Sequence, residues 1–281
     1  MEFHYRIPRK LGAWRPGTHP ATTLGAGQEF VSHMSLYDRP DPRRLDLRAS
    51  LRDVRGDWLV RVSRQRAAVA VQVVVDVSAS MEFGTTRSKR EVAADFVEAV
   101  GASAFRVGDA LGMAAFDERE RDELFVPPML SRGAGSVLSK MLRTNGRRGT
   151  AGGAGIESAA GRFAGRNCLV FIVSDFHWPL AALDRALEIL AHAFVVPVVV
   201  WDRAEVEPPA RSGLVSLRDM ETGATRTLWM RPSLRARWLD TVEQRREEIQ
   251  EVCARHFTRP FFVTGDFDGE AMSRYFFEAT A

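Results

Sequence analysis

The sequence predicts an α/β protein with a doubly wound, mostly parallel sheet, helices on both faces and a small β-rich attachment. Continuous apolar runs rich in valine recur at 67–76, 168–175 and 193–202, which is the pattern of strands buried on both faces. Segments with helical spacing separate these runs, and strands that alternate with helices indicate a parallel sheet. Turn-rich sequence at 1–66 and a hairpin pattern at 213–230 interrupt the alternation and predict the attachment.

The remaining elements follow from local signals along the chain. The other predicted strands are 58–62, 110–116, 123–128 and 260–265. The predicted helices are 87–105, 134–143, a segment ending near 163, 180–192 and 233–257. The strand at 123–128 is predicted to lie at the sheet edge, because prolines cannot donate to a ladder. Pro232 and Ser233 supply the start signal of the longest helix.

Four regions are predicted. Residues 1–66 form a basic, β-rich or irregular segment, and 67–204 form the core with a metal site. Residues 205–230 form a β-hairpin that packs with the N-terminal segment, because each piece is too small to build a core of its own. Residues 231–281 supply a C-terminal helix and a last strand that complete the core.

The composition argues against nucleic acid as a partner and against a membrane-spanning or secreted protein. The formal net charge is only +3, and basic clusters interleaved with stacking aromatics are not evident, so nucleic acid is not an expected partner. The charge is uneven, since residues 1–66 hold 13 basic and 7 acidic side chains. No apolar stretch predicts a membrane span or a signal peptide. Cys168 and Cys253 lie outside any metal-binding spacing, which suits reduced core residues and a cytoplasmic location.

Polar residues follow two of the buried strands at the point where each strand ends. Asp76, Ser78 and Ser80 come directly after the first run, and Asp175 ends the run 168–175. Thr150 lies in the glycine-rich loop between these strands. Ligands of open parallel sheets bind outside the carboxyl ends of the strands, so these five residues are expected to meet there.

Two carboxylates and three hydroxyls are hard oxygen ligands. They suit Mg²⁺, with Mn²⁺ or Ca²⁺ as alternatives. The competing interpretation is structural, with Asp76 and Ser78 capping a turn and Thr150 capping a helix. That interpretation leaves unexplained why two separate buried strands both end in aspartate. The sequence therefore predicts a metal site formed by Asp76, Ser78, Ser80, Thr150 and Asp175.

The motif Asp76-Val-Ser78-Ala-Ser80, with Thr150 and Asp175, resembles the metal-ion-dependent adhesion site of von Willebrand factor A domains. The stretches "GAGQEF", "DPRRLDLRAS" and "LRDMETG" are similar to the bacterial domain-of-unknown-function family fifty-eight, and this resemblance covers nearly the whole chain. It implies a von Willebrand factor A-like sheet, with the two serines and the threonine contacting the cation and the aspartates acting mostly through water.

The resemblance also implies a function and a partner. Proteins of this kind are often encoded beside MoxR-type AAA+ ATPases. They are thought to act with them as adaptors in the maturation of other proteins, including metal insertion into methanol dehydrogenase. A cation held mainly by hydroxyls remains under-neutralised, so a protein partner would supply a glutamate or aspartate to it. The expected function is therefore non-enzymatic, Mg²⁺-dependent protein binding.

The alternative function is a Mg²⁺-dependent phosphohydrolase of haloacid-dehalogenase type. That chemistry needs a second aspartate two residues after the nucleophile as general acid, and Ser78 stands in that place. No catalytic residue is therefore predicted. His177 is interpreted as structural, and Asp117 and Asp202, which also end strands, are interpreted as turn caps.

Overall fold

The computed structural model describes residues 2–7, 16–25, 29–144, 152–209, 213–218 and 224–279. The chain forms two compact units, of which the larger comprises Met1–Arg6 and Ala70–Ala281 and the smaller comprises Ile7–Val69. No described helix combines the length and apolar character that crossing a membrane requires.

The smaller unit is a three-stranded antiparallel sheet. Its elements are β1 (Pro16–Gly25), β2 (Glu29–Ser35), the single helical turn α1 (Leu47–Ser50) and β3 (Leu59–Ala67). The strand order is β1-β3-β2. The Asp46 carboxylate caps α1 by accepting from the Ala49 N–H at 3.0 Å, and the Ser50 hydroxyl accepts from the Leu59 N–H at 2.8 Å. This is the β-rich attachment that the sequence predicts.

The larger unit is built on a six-stranded sheet. Its strands are β4 (Ala70–Asp76), β5 (Ala110–Phe116), β6 (Val126–Met129), β7 (Leu169–Ser174), β8 (Phe194–Trp201) and β11 (Phe261–Thr264). Their order is β11-β8-β7-β4-β5-β6, and β6 alone among them pairs antiparallel. Numbered along the chain, this is the doubly wound order 3-2-1-4-5-6. The predicted von Willebrand factor A-like architecture is confirmed, as is the edge position of the proline-containing strand.

Helices cover both faces of this sheet. They are α2 (Lys89–Val107), α3 (Ala134–Thr144), α4 (Ile156–Gly161), α5 (Ala181–Ile189), α6 (Arg203–Val206), α7 (Pro232–Arg255) and α8 (Gly269–Glu278). The Phe171 ring of β7 packs against Phe96 of α2 and Phe276 of α8. Ile172, the next residue along β7, joins a buried cluster supplied by α4, α5 and α7, because successive side chains of a strand point to opposite faces.

Three features differ from or add to the sequence expectation. Residues Met1–Arg6 belong to the larger unit, where the fully buried Phe3 ring lies 6.3 Å from the rings of both Phe96 and Phe276. Helices α6 and α8 were not predicted. The expected hairpin forms from β9 (Gly213–Arg218) and β10 (Thr225–Met230), which pair with each other in a sheet of their own. Packing of 205–230 with residues 1–66 stays a prediction.

Candidate functional site

The ends of β4 and β7 bring the predicted aspartates to one place. The two strands are parallel neighbours, with Val75 opposite Val173. The chain order reverses between them, so their carboxyl ends open the crevice in which doubly wound sheets bind ligands. Asp76 is the last residue of β4, and Asp175 directly follows β7. Both side chains are 0% exposed.

The Asp76 carboxylate is surrounded by neutral donors. Its Oδ1 accepts from the Ser78 N–H at 2.8 Å. Its Oδ2 accepts from the Ser174 hydroxyl at 2.6 Å and from the Trp178 indole N–H at 2.9 Å. Burial, and secondarily repulsion from Asp175, raise the pKa of Asp76 to about 6. Among the described residues, no cationic group contacts this carboxylate, so its charge is poorly compensated.

Ser78 and Ser80 present their hydroxyls to each other. Ser78 precedes a short 3₁₀ turn at Ala79–Glu82, and its Oγ lies 3.2 Å from the Oγ of Ser80. The Ser80 hydroxyl helps to lower the pKa of Asp175. The Ser78 hydroxyl opposes the rise in the pKa of Asp76, so the two hydroxyls act on both aspartates.

The Asp175 carboxylate has a cationic partner, unlike that of Asp76. Its Oδ2 accepts from the Lys89 ammonium at 2.6 Å, and its Oδ1 accepts from the His177 N–H at 3.2 Å. Burial by itself raises the pKa of Asp175, but the charges of Lys89 and His177 outweigh burial and lower that pKa below its usual value. Asp175 is therefore ionised, and protein donors engage both of its oxygens.

Lys89 and Glu205 complete the site, and sequence reasoning missed both. The Lys89 side chain is 2% exposed, and its Nζ also donates to the Glu205 Oε1 at 2.6 Å. One signal in the sequence could have found Lys89. It is the first residue of α2, where the positive end of the helix dipole disfavours a cation. Glu205 lies on the unpredicted helix α6 and gave no signal.

The loop after β7 holds the indole of Trp178 against Asp76. Phe176 adopts a positive φ of 52° although it is fully buried, a conformation that is uncommon for a bulky residue. The guanidinium of Arg245 on α7 donates to the carbonyls of Phe176 at 2.6 Å and Trp178 at 2.5 Å. These bonds turn the loop so that the Trp178 N–H reaches the Asp76 carboxylate.

Thr150 lies outside the described residues, so its predicted place at the site stays a prediction. The described end of its loop approaches the site closely. A Cβ added to Gly153 would lie 2.3 Å from the Trp178 ring, so only glycine fits against that indole.

The remaining polar residues at strand ends have structural partners. Asp117 is fully buried, and its Oδ2 accepts from the Arg121 guanidinium at 2.7 Å. The Asp202 carboxylate caps α6 by accepting from the Ala204 N–H at 2.8 Å. Asp202 therefore has a capping role, as the sequence predicts, but it caps a helix that the sequence does not predict.

His177 lies at the rim of the site. Its side chain is 43% exposed, with Nε2 3.5 Å from Glu205, and its ring stacks parallel to the Trp201 indole. One ligand atom from each of Asp175, His177 and Glu205 can be chosen so that all three lie within 4.8 Å of one another.

A cavity of about 700 Å³ adjoins this rim. Its lining includes His177, Glu205, Trp201 and, on α7, Leu234 and Trp238. Apolar and aromatic side chains therefore lie directly beside the polar cluster, as in many sites that bind a ligand or a partner segment.

The described donors fit a hard divalent cation on the Asp76 side of the site. Two hydroxyls converge there beside a buried carboxylate whose charge no cation balances among the described residues. Oxygen donors of this type suit Mg²⁺. The Asp175 side is different, because Lys89 already balances its charge.

No curated protein matches the chain. Several solved structures align with it at low identity. An aerotolerance-related membrane protein from Bacteroides fragilis is 16% identical over 75% of this chain and 98% of its own, with a TM-score of 0.48. The conserved hypothetical protein BatB from Bacteroides thetaiotaomicron is 17% identical over 76% and 98%, with a TM-score of 0.47. A von Willebrand factor type A protein from Catenulispora acidiphila is 14% identical over 77% and 43%, with a TM-score of 0.42.

One family model matches most of the chain. Its description is "Protein of unknown function DUF58", and the match runs from residue 39 to residue 248. It therefore includes α1 and β3 of the smaller unit and all residues of the polar cluster around Asp76 and Asp175. The chain belongs to the DUF58 family.

Proposed function

We propose that this chain is a non-enzymatic protein-binding module that works through a Mg²⁺-dependent adhesion site. Asp76, Ser78, Ser80, Thr150 and Asp175 would hold the cation. The observation that carries this proposal is the state of Asp76, a fully buried carboxylate that faces only neutral donors among the described residues and has a pKa of about 6. A buried charge without a partner is costly, and a bound divalent cation would compensate it.

Charge counting supports the role of a partner. The serine and threonine hydroxyls are neutral, and protein donors already engage both oxygens of Asp175. Within the part of the chain that the structure describes, Asp76 is then the main anion available to the cation. A bound Mg²⁺ would supply a Lewis-acidic centre with remaining affinity for a carboxylate. A glutamate or aspartate of a protein partner would satisfy it.

The cavity beside the site supports a docking role. It shares His177 and Glu205 with the rim of the cluster, and Leu234 and Trp238 provide apolar walls. A partner segment that brings an acidic side chain to the cation would pass this cavity and would place an apolar neighbour in it. The resemblance to adaptors of MoxR-type AAA+ ATPases suggests such an ATPase as the partner, and maturation or assembly of another protein as the process.

The phosphohydrolase alternative gains no support from the geometry. The general acid of that chemistry would have to stand where Ser78 lies, and the Ser78 hydroxyl contacts Ser80 at 3.2 Å. A serine hydroxyl cannot act as a general acid near neutral pH without a group that lowers its pKa. A phosphatase screen with Mg²⁺ is expected to give no turnover that Asp76→Asn removes.

Metal binding and partner binding test the proposal together. Calorimetry should show Mg²⁺ binding to the natural protein and none to Asp76→Ala. The matched control is Asp117→Ala, because Asp117 also follows a strand and is fully buried but is paired with Arg121. Affinity capture with the natural protein from native cell extract should yield a binding partner. That partner should no longer be captured in EDTA, or when the bait carries both Ser78→Ala and Ser80→Ala. A partner retained equally in EDTA would refute the adhesion mechanism.

A further inference from the structure

Lys89 occupies an unusual position for a lysine. Its side chain is 2% exposed, at the first position of α2, and its ammonium lies 5.7 Å from the centre of the Phe83 ring. Burial disfavours the charged form of a lysine, and the amino end of a helix disfavours a cation. The carboxylates of Asp175 and Glu205, each with an oxygen 2.6 Å from the ammonium, oppose both effects.

The Lys89 ammonium occupies a position that is otherwise suited to a metal ion. One carboxylate oxygen each of Asp175 and Glu205 and one ring nitrogen of His177 lie within 4.8 Å of one another. Imidazole nitrogen suits Zn²⁺ and other transition metals, and carboxylate oxygens can also bind Zn²⁺. The Lys89 Nζ lies 2.6 Å from a carboxylate oxygen of Asp175 and 2.6 Å from one of Glu205. A metal ion cannot share these oxygens with the ammonium without strong repulsion.

We propose that Lys89 is a built-in cation that excludes metal ions from the Asp175–His177–Glu205 cluster. By neutralising Asp175, it also lowers the affinity of the neighbouring Asp76 side for a divalent ion. The second statement rests on the proposed function, whereas the first does not. The affinity of the site for Mg²⁺ is then moderate. Tight binding of the cation depends on the additional carboxylate that a partner brings.

Lys89→Met tests the proposal, because methionine fills similar space without the charge. Calorimetry is done with Mg²⁺ and, separately, Zn²⁺. The variant should bind Mg²⁺ at least about tenfold more tightly than the natural protein, because a full charge has been removed beside Asp175. It should also gain one Zn²⁺ equivalent, which His177→Ala in the same background removes. Lys140→Met, the same change at an exposed lysine of α3, should alter neither value.

A second pair of variants covers the case in which Lys89→Met does not fold, since removing one partner of a buried ion pair is strongly destabilising. Glu205→Gln leaves Lys89 paired with Asp175 alone. Adding Lys89→Met to Glu205→Gln should tighten Mg²⁺ binding about tenfold or more relative to Glu205→Gln. Unfolding by urea shows which variants are folded under the conditions of the titration.

The two ideas fail in different ways. The role of Lys89 would be overturned if Lys89→Met, alone and combined with Glu205→Gln, left the Mg²⁺ affinity unchanged and added no Zn²⁺ equivalent. The proposed adhesion site would still stand in that case if Asp76→Ala abolishes Mg²⁺ binding. A new His177-dependent Zn²⁺ equivalent in a protein that never binds Mg²⁺ would support exclusion by Lys89 and would refute the proposed function.

Discussion

Replacing Asp76 with asparagine should stabilise the metal-free protein at neutral pH. Asparagine keeps the size and shape of the side chain and removes its charge. The Asp76 carboxylate is fully buried, and burial together with Asp175 raises its pKa to about 6 from an ordinary value of 3.8. Its ionised form is therefore disfavoured in the folded protein relative to the unfolded chain. A substitution at the centre of the candidate site should then increase stability while it abolishes metal binding.

The magnitude follows from two opposing terms. A pKa raised by about two units corresponds to about 3 kcal/mol of destabilisation at pH 7. In the variant, the asparagine carbonyl can accept from Ser174 and Trp178. Its NH₂ group then faces the Ser78 N–H, which in the natural protein donates to the Asp76 carboxylate at 2.8 Å. Losing that bond costs about 1 kcal/mol. The expected net gain in the free energy of unfolding is about 2 kcal/mol.

The pH dependence gives an independent signature. Because the folded pKa of Asp76 lies above its unfolded value, the folded state binds more protons between about pH 4 and about pH 6. The contribution of Asp76 to stability therefore falls as pH rises through this window and is constant above it. Asp76→Asn should match the natural protein most closely below about pH 4 and should exceed it progressively up to about pH 6.

Urea unfolding in EDTA across this pH range measures the effect. Excess Mg²⁺ should raise the stability of the natural protein and leave Asp76→Asn unchanged, because a ligand stabilises only the state that binds it. An asparagine variant that is less stable than the natural protein at pH 7 in EDTA would refute the reasoning. It would show that the hydrogen bonds to Asp76 outweigh its uncompensated charge.

Three further predictions concern other parts of the molecule. Phe3→Ala should lower the free energy of unfolding by about 3–5 kcal/mol, because the ring is fully buried; a loss below about 1 kcal/mol in urea unfolding would contradict this. Burial raises the pKa of Cys168 to about 11 and of Cys253 to about 12, so neither should react with a disulfide reagent until the chain unfolds. Leu234→Glu in the cavity wall should weaken partner capture, whereas Leu239→Glu on the same helix should leave it unchanged. Equal effects of the two substitutions would show that the cavity is not a docking surface.

The sequence predicts the sheet well because buried parallel strands carry an unmistakable composition. The run that ends at Asp76 and the run that ends at Asp175 are apolar at almost every position, and both contain strands of the central sheet. The polar residues at their ends can therefore be assigned to one edge of the sheet from the amino-acid pattern alone. The meeting of Asp76 and Asp175 then follows from strand adjacency.

The charged partners of the site could not be predicted in the same way. Lys89 is far in sequence from Asp175 and Glu205, and its contacts depend on how α2 and α6 lie against the sheet. Helix α6 spans only Arg203–Val206, which is too short for an apolar period to appear. The burial of Phe3 in the larger unit could not be predicted either, because an isolated aromatic residue near the N-terminus gives no periodic signal.

The two aspartates of the site have opposite electrostatic environments. Asp175 is paired with Lys89 at 2.6 Å and stays ionised, whereas Asp76 faces only neutral donors among the described residues and has a raised pKa. A structural role alone would favour the same environment for both aspartates. A protein is more stable when a buried carboxylate is paired with a cation, or when a neutral residue stands in its place. Asp117, at the end of the adjacent strand β5, shows that the fold can pair such a residue, here with Arg121. Among the described residues no cation balances the charge of Asp76, and this observation supports the proposal that a cation binds there from outside the chain. Under this proposal Lys89 has a second consequence: because it already neutralises Asp175, the cation would gain more at Asp76 than at Asp175.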